Sequence, residues 1–343
     1  MIKGKHTRIA GGAKFWSGNT AMVGGLISKP VIINQQNFVS SPSLPSWLTL
    51  SRLTAATYFS NSNPRIVDAA PDTPRFDYSF NGSTWINQGL LLEKQSTNWL
   101  SNSYNLSNFS TFNAVRGTSD SLSGIQGYTV TSNNSSQTSR LSQVTASTAW
   151  QPIITMSSIV KTGSSNAAML VGSGGANYHY ALVDLNAKTV TPRFTIDIPA
   201  FISGNVIDIS NARFLISATF NISAEGQSTN IGGGIGSGSA TNGLDVTAYT
   251  YQIEQATYPS SLIKTTTAAV TRAQDNLQLN VANYTGSIKL TYKRQDTGAI
   301  ESVWIDLTNA TNPILTNSVA VGIWLQNIAV YNRTLTAQEK ANA

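Results

Sequence analysis

From Ile288 to Lys293 the sequence Ser287-Ile288-Lys289-Leu290-Thr291-Tyr292-Lys293-Arg294 alternates apolar and polar side chains one for one. Successive side chains of a β-strand point to opposite faces. The alternation therefore predicts a strand with one face in a core and the other in water. Around it, Glu301–Leu307 and Val319–Tyr331 are further strand candidates. Upstream, Ile153–Lys161, Ala167–Gly172, Tyr178–Leu185, Arg213–Ile222 and Asp245–Glu254 are short runs rich in β-branched and aromatic residues, separated by Gly, Ser and Asn. Several short strands with such turns predict an all-β sandwich or barrel. Asn81-Gly82 lies between Phe76-Asp77-Tyr78 and Trp85-Ile86 and predicts a hairpin, because both residue types tolerate positive φ. Gly89-Leu90-Leu91-Leu92-Glu93 follows as a buried strand. Gly232–Gly238 reads as a flexible glycine loop; it lacks the Lys-Ser/Thr and the helix of a phosphate cradle. Thr336-Ala337-Gln338-Glu339 has the spacing of a capping box and predicts a short C-terminal helix from about 337.

Composition agrees with a β protein and narrows its partners. A length of 343 residues fits roughly two or three domains at about 150 residues each. Only 11% of residues are charged while 41% are hydrophobic, so the polar surface comes from Ser, Thr, Asn and Gln, as in turns and exposed strand faces. The formal charge of +6 is scattered, and no basic run extends beyond Lys3, Lys5 and Arg8; no nucleic-acid partner is expected. No stretch approaches the ~20 apolar residues of a membrane span, and the basic N-terminus is not followed by an apolar core of signal-peptide length. Neither membrane anchoring nor export by a signal peptide is expected.

The catalytic inventory is thin. Cysteine is absent and the histidines are His6 and His179, which leaves no common zinc site and no nucleophile elbow. Asp184, Asp197, Asp208, Glu225 and Asp245 lie at strand ends or turns rather than as an acid pair. No catalytic residue, metal or cofactor is therefore assigned, and no enzyme is expected. The aromatics say more. Tyr178 and Tyr180 share one strand face with His179 on the other. With Trp150 they form the candidate glycan-binding set Trp150, Tyr178, His179 and Tyr180; core packing is the competing reading of the same rings.

Four stretches occur in a distinctive order. They are Leu50-Ser51-Arg52-Leu53-Thr54-Ala55-Ala56-Thr57-Tyr58-Phe59; Pro74-Arg75-Phe76-Asp77-Tyr78 with Gly89–Leu100; Tyr251-Gln252-Ile253-Glu254-Gln255-Ala256 with Pro259–Thr265 and Ala269-Val270-Thr271-Arg272-Ala273; and Ile328–Glu339. Over about 46–340 this order resembles a family of phage and prophage virion proteins of tail-fibre type that carry a carbohydrate-binding-module-like jelly roll. The last stretch is also similar to the closing strand and helix of laminin-G-like sandwiches. Ser51, Leu53, Ala256 and Leu262 depart from the family pattern. The resemblance implies a mainly β protein of two β-sandwich modules, one inserted in the other. Residues 46–100 plus 266–343 would form a split sandwich, and 101–265 the inserted jelly roll. It implies a virion structural protein of the tail, collar, capsid surface or fibre, made in the host cytoplasm and released by lysis. Its expected partners are other virion proteins and further copies of itself, a trimer being the common form. An adhesin binding host surface glycans is the alternative.

Arg52, Arg75, Glu93 and Arg272 are charges within apolar stretches. Buried charges need partners, so these four are expected to form a structural charge cluster, with Glu93 paired to one of the arginines. Residues 1–45 lie outside the resemblance and are broken by Gly11, Gly12, Gly24, Gly25 and Pro30. They read as an attachment arm ordered by its neighbours, with Phe15, Trp16, Met22 and Val23 as assembly anchors.

Overall fold

The computed structural model describes residues 29–343 apart from 63–64, 134–138, 147–151, 176–177, 194–199, 224–226, 240 and 320. Within these the protein is mainly β, and Ala337–Ala341 is the sole α-helix among the described residues. That helix opens with the expected reciprocal cap, Thr336 accepting from the Glu339 amide and Glu339 from the Thr336 amide.

All strand pairs are antiparallel, and they build two sandwiches. The first has a six-stranded sheet in the order Ile300–Ala310, Tyr284–Arg294, Ile323–Tyr331, Trp85–Leu92, Phe76–Phe80, with Ile32–Asn37 also pairing along Ile323–Tyr331. In Tyr284–Arg294 the alternation read from sequence is literal: Ile288, Leu290 and Tyr292 are buried and Lys289, Thr291 and Lys293 half-buried. The small sheet Leu48–Ser51 with Asn276–Leu279 closes this core over Leu90, Leu92, Leu325 and Ile328. The module is therefore assembled from chain before about 95 and after about 270.

The second sandwich lies between those halves. One layer is a nine-stranded sheet centred on Ile153–Thr162, which pairs with Arg213–Asn221 on one side and with Asp245–Ala248 and Gln252–Glu254 on the other. The facing layer has six strands in the order Thr189–Arg193, His179–Asp184, Ala167–Gly175, Gln227–Gly236, Arg140–Ala146, Ser110–Phe112. Leu170, Ile216, Ile235 and Ile253 are among the side chains that fill the space between them. The short strands Ser96–Asn98 and Val270–Arg272, where the chain enters and leaves, join the nine-stranded sheet. These two strands lie a few residues outside the span 101–265 expected for the insert.

Three sequence expectations are corrected. Gly232–Gly236 is not a loop but part of Gln227–Gly236, a central strand between Ala167–Gly175 and Arg140–Ala146. Its glycines answer to close approach. A Cβ on Gly233 would lie 2.5 Å from Ile253 Cδ1 of the opposite sheet, and one on Gly234 would lie 2.2 Å from the Leu141 carbonyl oxygen. Next, the end of the expected arm belongs to the first sandwich: Ile32–Asn37 pairs with Ile323–Tyr331, and Phe38 is fully buried against that core. A strand edge and one large apolar side chain suffice to bind this segment to its own chain. Phe15, Trp16, Met22 and Val23 lie outside the described residues. Last, Asp245–Glu254 is two strands, Asp245–Ala248 and Gln252–Glu254. The Asn81-Gly82 hairpin is present with a four-residue loop, in which Gly82 has φ +100° and Asn81 Oδ1 accepts from the Ser83 and Thr84 amides at 3.0 and 2.8 Å.

Candidate glycan-binding face and the charge cluster

The four charged residues singled out in the sequence meet at the joint between the sandwiches. Arg52, Arg75, Glu93 and Arg272 are all buried, and Asp275 is buried with them. Arg75 Nη1 donates to Glu93 Oε2 at 2.7 Å and Arg75 Nη2 to Asp275 Oδ2 at 2.6 Å. Arg52 Nη1 donates to Asp275 Oδ1 at 2.9 Å, and Arg272 Nη1 stands 3.5 Å from Glu93 Oε2. Most of the remaining donors and acceptors are used locally, though Arg75 Nε and Arg272 Nε are buried without a hydrogen-bond partner among the described residues. Arg52 Nη2 donates to the Ala70 carbonyl, Arg272 Nη2 to the Lys94 carbonyl, and Glu93 Oε1 accepts from the Ser261 amide. Burial alone would raise the Glu93 pKa, but Arg272 and Arg75 hold it down at about 2. Next to the cluster, Glu254 accepts from Ser96, Ser260 and Gln252 side chains, and burial raises its pKa. These residues come from both crossings between the modules, so the cluster clamps the inserted sandwich to its host. Buried pairs of this kind add little net stability when intact, and breaking one is expensive. Their value here is in fixing one geometry of the joint.

The candidate glycan-binding residues divide between two faces of one strand. His179 is buried between the sheets and stacks on Phe220 with ring centroids 5.5 Å apart. Strand alternation turns it away from the surface, so it is corrected to a core residue. Tyr178 is exposed and Tyr180 half-buried on the outer face. Trp150 lies outside the described residues. The outer face supplies two residues that sequence reasoning missed. Phe112 is exposed at the strand end Ser110–Phe112, and Arg140 pairs with it in register. The Arg140 guanidinium carbon is 4.3 Å from the centre of the Phe112 ring and 5.9 Å from those of Tyr178 and Tyr180. Between the tyrosine strand and Arg140 run Ala167–Gly175 and the glycine strand Gln227–Gly236. A Cβ on Gly232 would lie 3.3 Å from the Tyr178 hydroxyl, so the ring lies against bare backbone. The result is a shallow platform of aromatic rings around an arginine, held by a rigid sheet. It offers flat apolar faces, phenol hydroxyls and a cation. Neither Phe112 nor Arg140 carries a period or motif that marks it in sequence; only the register of two strands far apart in the chain unites them with the tyrosines.

No family model matches the chain, and no curated protein matches it.

Proposed function

We propose that the protein is a non-enzymatic component of a bacteriophage particle, joined to other virion proteins and adhesive through its inserted sandwich. The observation that carries this reading is the convergence of the resembling stretches on one joint. Arg52, Arg75, Glu93 and Arg272 come from three of those stretches and meet in a single buried cluster. A cluster that fixes the joint leaves the outer faces of the inserted module to other work, which suits a particle protein that holds a binding face on a fixed mount. Ile32 and Ile33 on the edge strand of the first sandwich, and Val31 just before it, are exposed. An apolar edge of that kind favours association with another subunit. The decisive experiment is mass spectrometry of purified particles together with immunogold labelling by an antibody to residues 101–265. Label on the tail, collar or shell supports the reading; absence of the protein from purified particles overturns it.

The adhesin reading is favoured by the Tyr178, Tyr180 and Phe112 platform. Sugar rings lay their C–H faces on aromatic rings while their hydroxyls seek hydrogen bonds at the edge. Glycan-array binding by the full chain that is lost in Tyr178→Ala supports host attachment. An array profile that is unchanged glycan for glycan in Tyr178→Ala removes the platform as a site.

A further inference from the structure

A second surface has the chemistry of a binding site, and it lies on the other side of the inserted sandwich from Tyr178. Between the outer face of the nine-stranded sheet and the six-stranded sheet of the first sandwich is a cleft of about 470 Å³. That volume falls in the ~300–1,000 Å³ range of small-ligand sites, which favour junctions between modules. Residues 57–59, 77–80 and Trp324 line one wall, and 203–205 and Ile207 with Leu215 and Ser217 the other.

The charges that line the cleft are engaged by protein groups. Asp77 accepts from the Phe59 amide at 2.7 Å and from the Trp324 indole N–H at 2.8 Å. Lys293 Nζ donates to Gln88 Oε1 at 2.9 Å and stands 5.5 Å from the centre of the Trp324 ring. Asp296 holds Arg294 at 2.6 Å. Asp77 and Lys293 thus both orient Trp324, which fixes the ring before any ligand arrives, while Lys293, bonded to a neutral amide, keeps its positive charge. What remains for a ligand is aromatic surface from Tyr58, Tyr78 and Phe80, and neutral hydrogen-bonding groups from Asn205, Ser203 and Thr297. An aliphatic ligand would leave those amides and hydroxyls desolvated and unpaired. An anion would meet Asp77 and Asp296 as well as Lys293, two negative charges against one positive in the lining. A ligand with flat C–H faces and a rim of neutral hydroxyls satisfies both kinds of surface.

We propose that this cleft binds a neutral oligosaccharide of two or three rings, as a site separate from the Tyr178 platform. The proposal does not depend on where the protein sits in a particle. Calorimetric titration of the full chain with neutral hexose and N-acetylhexosamine trisaccharides tests it, with a uronic-acid trisaccharide of equal length alongside. At least one neutral trisaccharide should bind, and the acidic one should bind more weakly. Tyr78→Ala should weaken binding about tenfold, the effect of losing one aromatic contact and its packing. Asn205 is exposed, so Asn205→Trp should obstruct the cleft, abolish binding and leave the melting transition in place. Tyr178→Ala should change nothing. Failure of every neutral trisaccharide to bind overturns the proposal. Preference for the acidic sugar, or binding that survives Asn205→Trp and disappears in Tyr178→Ala, overturns it equally.

Discussion

Asp275→Asn is the sharpest perturbation of the joint, because it removes one charge and almost no volume. Asp275 accepts from Arg52 at 2.9 Å, from Arg75 at 2.6 Å and from the Glu93 amide at 2.8 Å. An asparagine has one acceptor oxygen, so its NH₂ would be turned toward donors. Two buried guanidinium groups would lose their shared counter-charge. Breaking a buried pair in this way costs about 3–5 kcal/mol. Unfolding entropy near 60 °C is about 2.1 cal/mol/K per residue, or about 0.7 kcal/mol/K for 343 residues. The melting temperature should then fall by about 4–7 °C if the molecule melts as one unit. If the modules melt separately, the loss should appear as a split transition, since the cluster holds both crossings. The control is Asp120→Asn. Asp120 serves Lys161 and Arg213 at the surface with its side chain 38% exposed, where such pairs are worth about 1 kcal/mol or less. Scanning calorimetry of both variants checks the comparison. A shift below about 1 °C for Asp275→Asn, or one no larger than that of Asp120→Asn, would refute the clamp.

Two other buried carboxylates, Glu93 and Asp77, set the pH response. Glu93, held at about 2 against an ordinary 4.5, contributes stability that is present above about pH 4.5 and lost as pH falls toward 2. Asp77 works in the opposite sense: burial raises it from 3.8 to about 6, outweighing the hydrogen bonds from Trp324 and Phe59. The folded state therefore holds its proton more tightly, and stability should fall as pH rises from about 4 to 6. Asp77→Asn should flatten that interval, as read by melting temperature against pH. Gly234→Ala should cost about 1–3 kcal/mol or more, because the added methyl meets the Leu141 carbonyl at 2.2 Å; a loop at this position would tolerate it with no change in melting. Removal of residues 1–40 should lower the melting temperature, since it deletes the edge strand Ile32–Asn37 and the buried Phe38, a side chain whose loss costs about 3–5 kcal/mol. Unchanged melting would return this segment to the role of a detachable arm.

What sequence can and cannot reveal divides along physical lines. The alternation at Ile288–Lys293 is readable because an antiparallel strand half in water writes its two faces into the chain with a period of two. Arg52, Arg75, Glu93 and Arg272 are readable because a charge within an apolar stretch is costly unless paired. Their common partner Asp275 is not, because it follows Ala273-Gln274 in a polar segment where an acid is unremarkable. Glycine misleads in the other direction. In Gly232–Gly236 the missing Cβ is a response to the Leu141 carbonyl and to Ile253 and Tyr251 of the facing sheet, none of which is near it in sequence. The cleft is the least legible feature, since its walls come from two modules and exist only once these are docked. That dependence links the two halves of the chemistry. Ser261 bonds Glu93 in the charge cluster and also lines the cleft, so the clamp that fixes the joint fixes the spacing of the cleft walls. Asp275→Asn should accordingly weaken any trisaccharide held there even at temperatures where the protein remains folded. A variant that is destabilised but binds with unchanged affinity would show that cleft and clamp are mechanically independent.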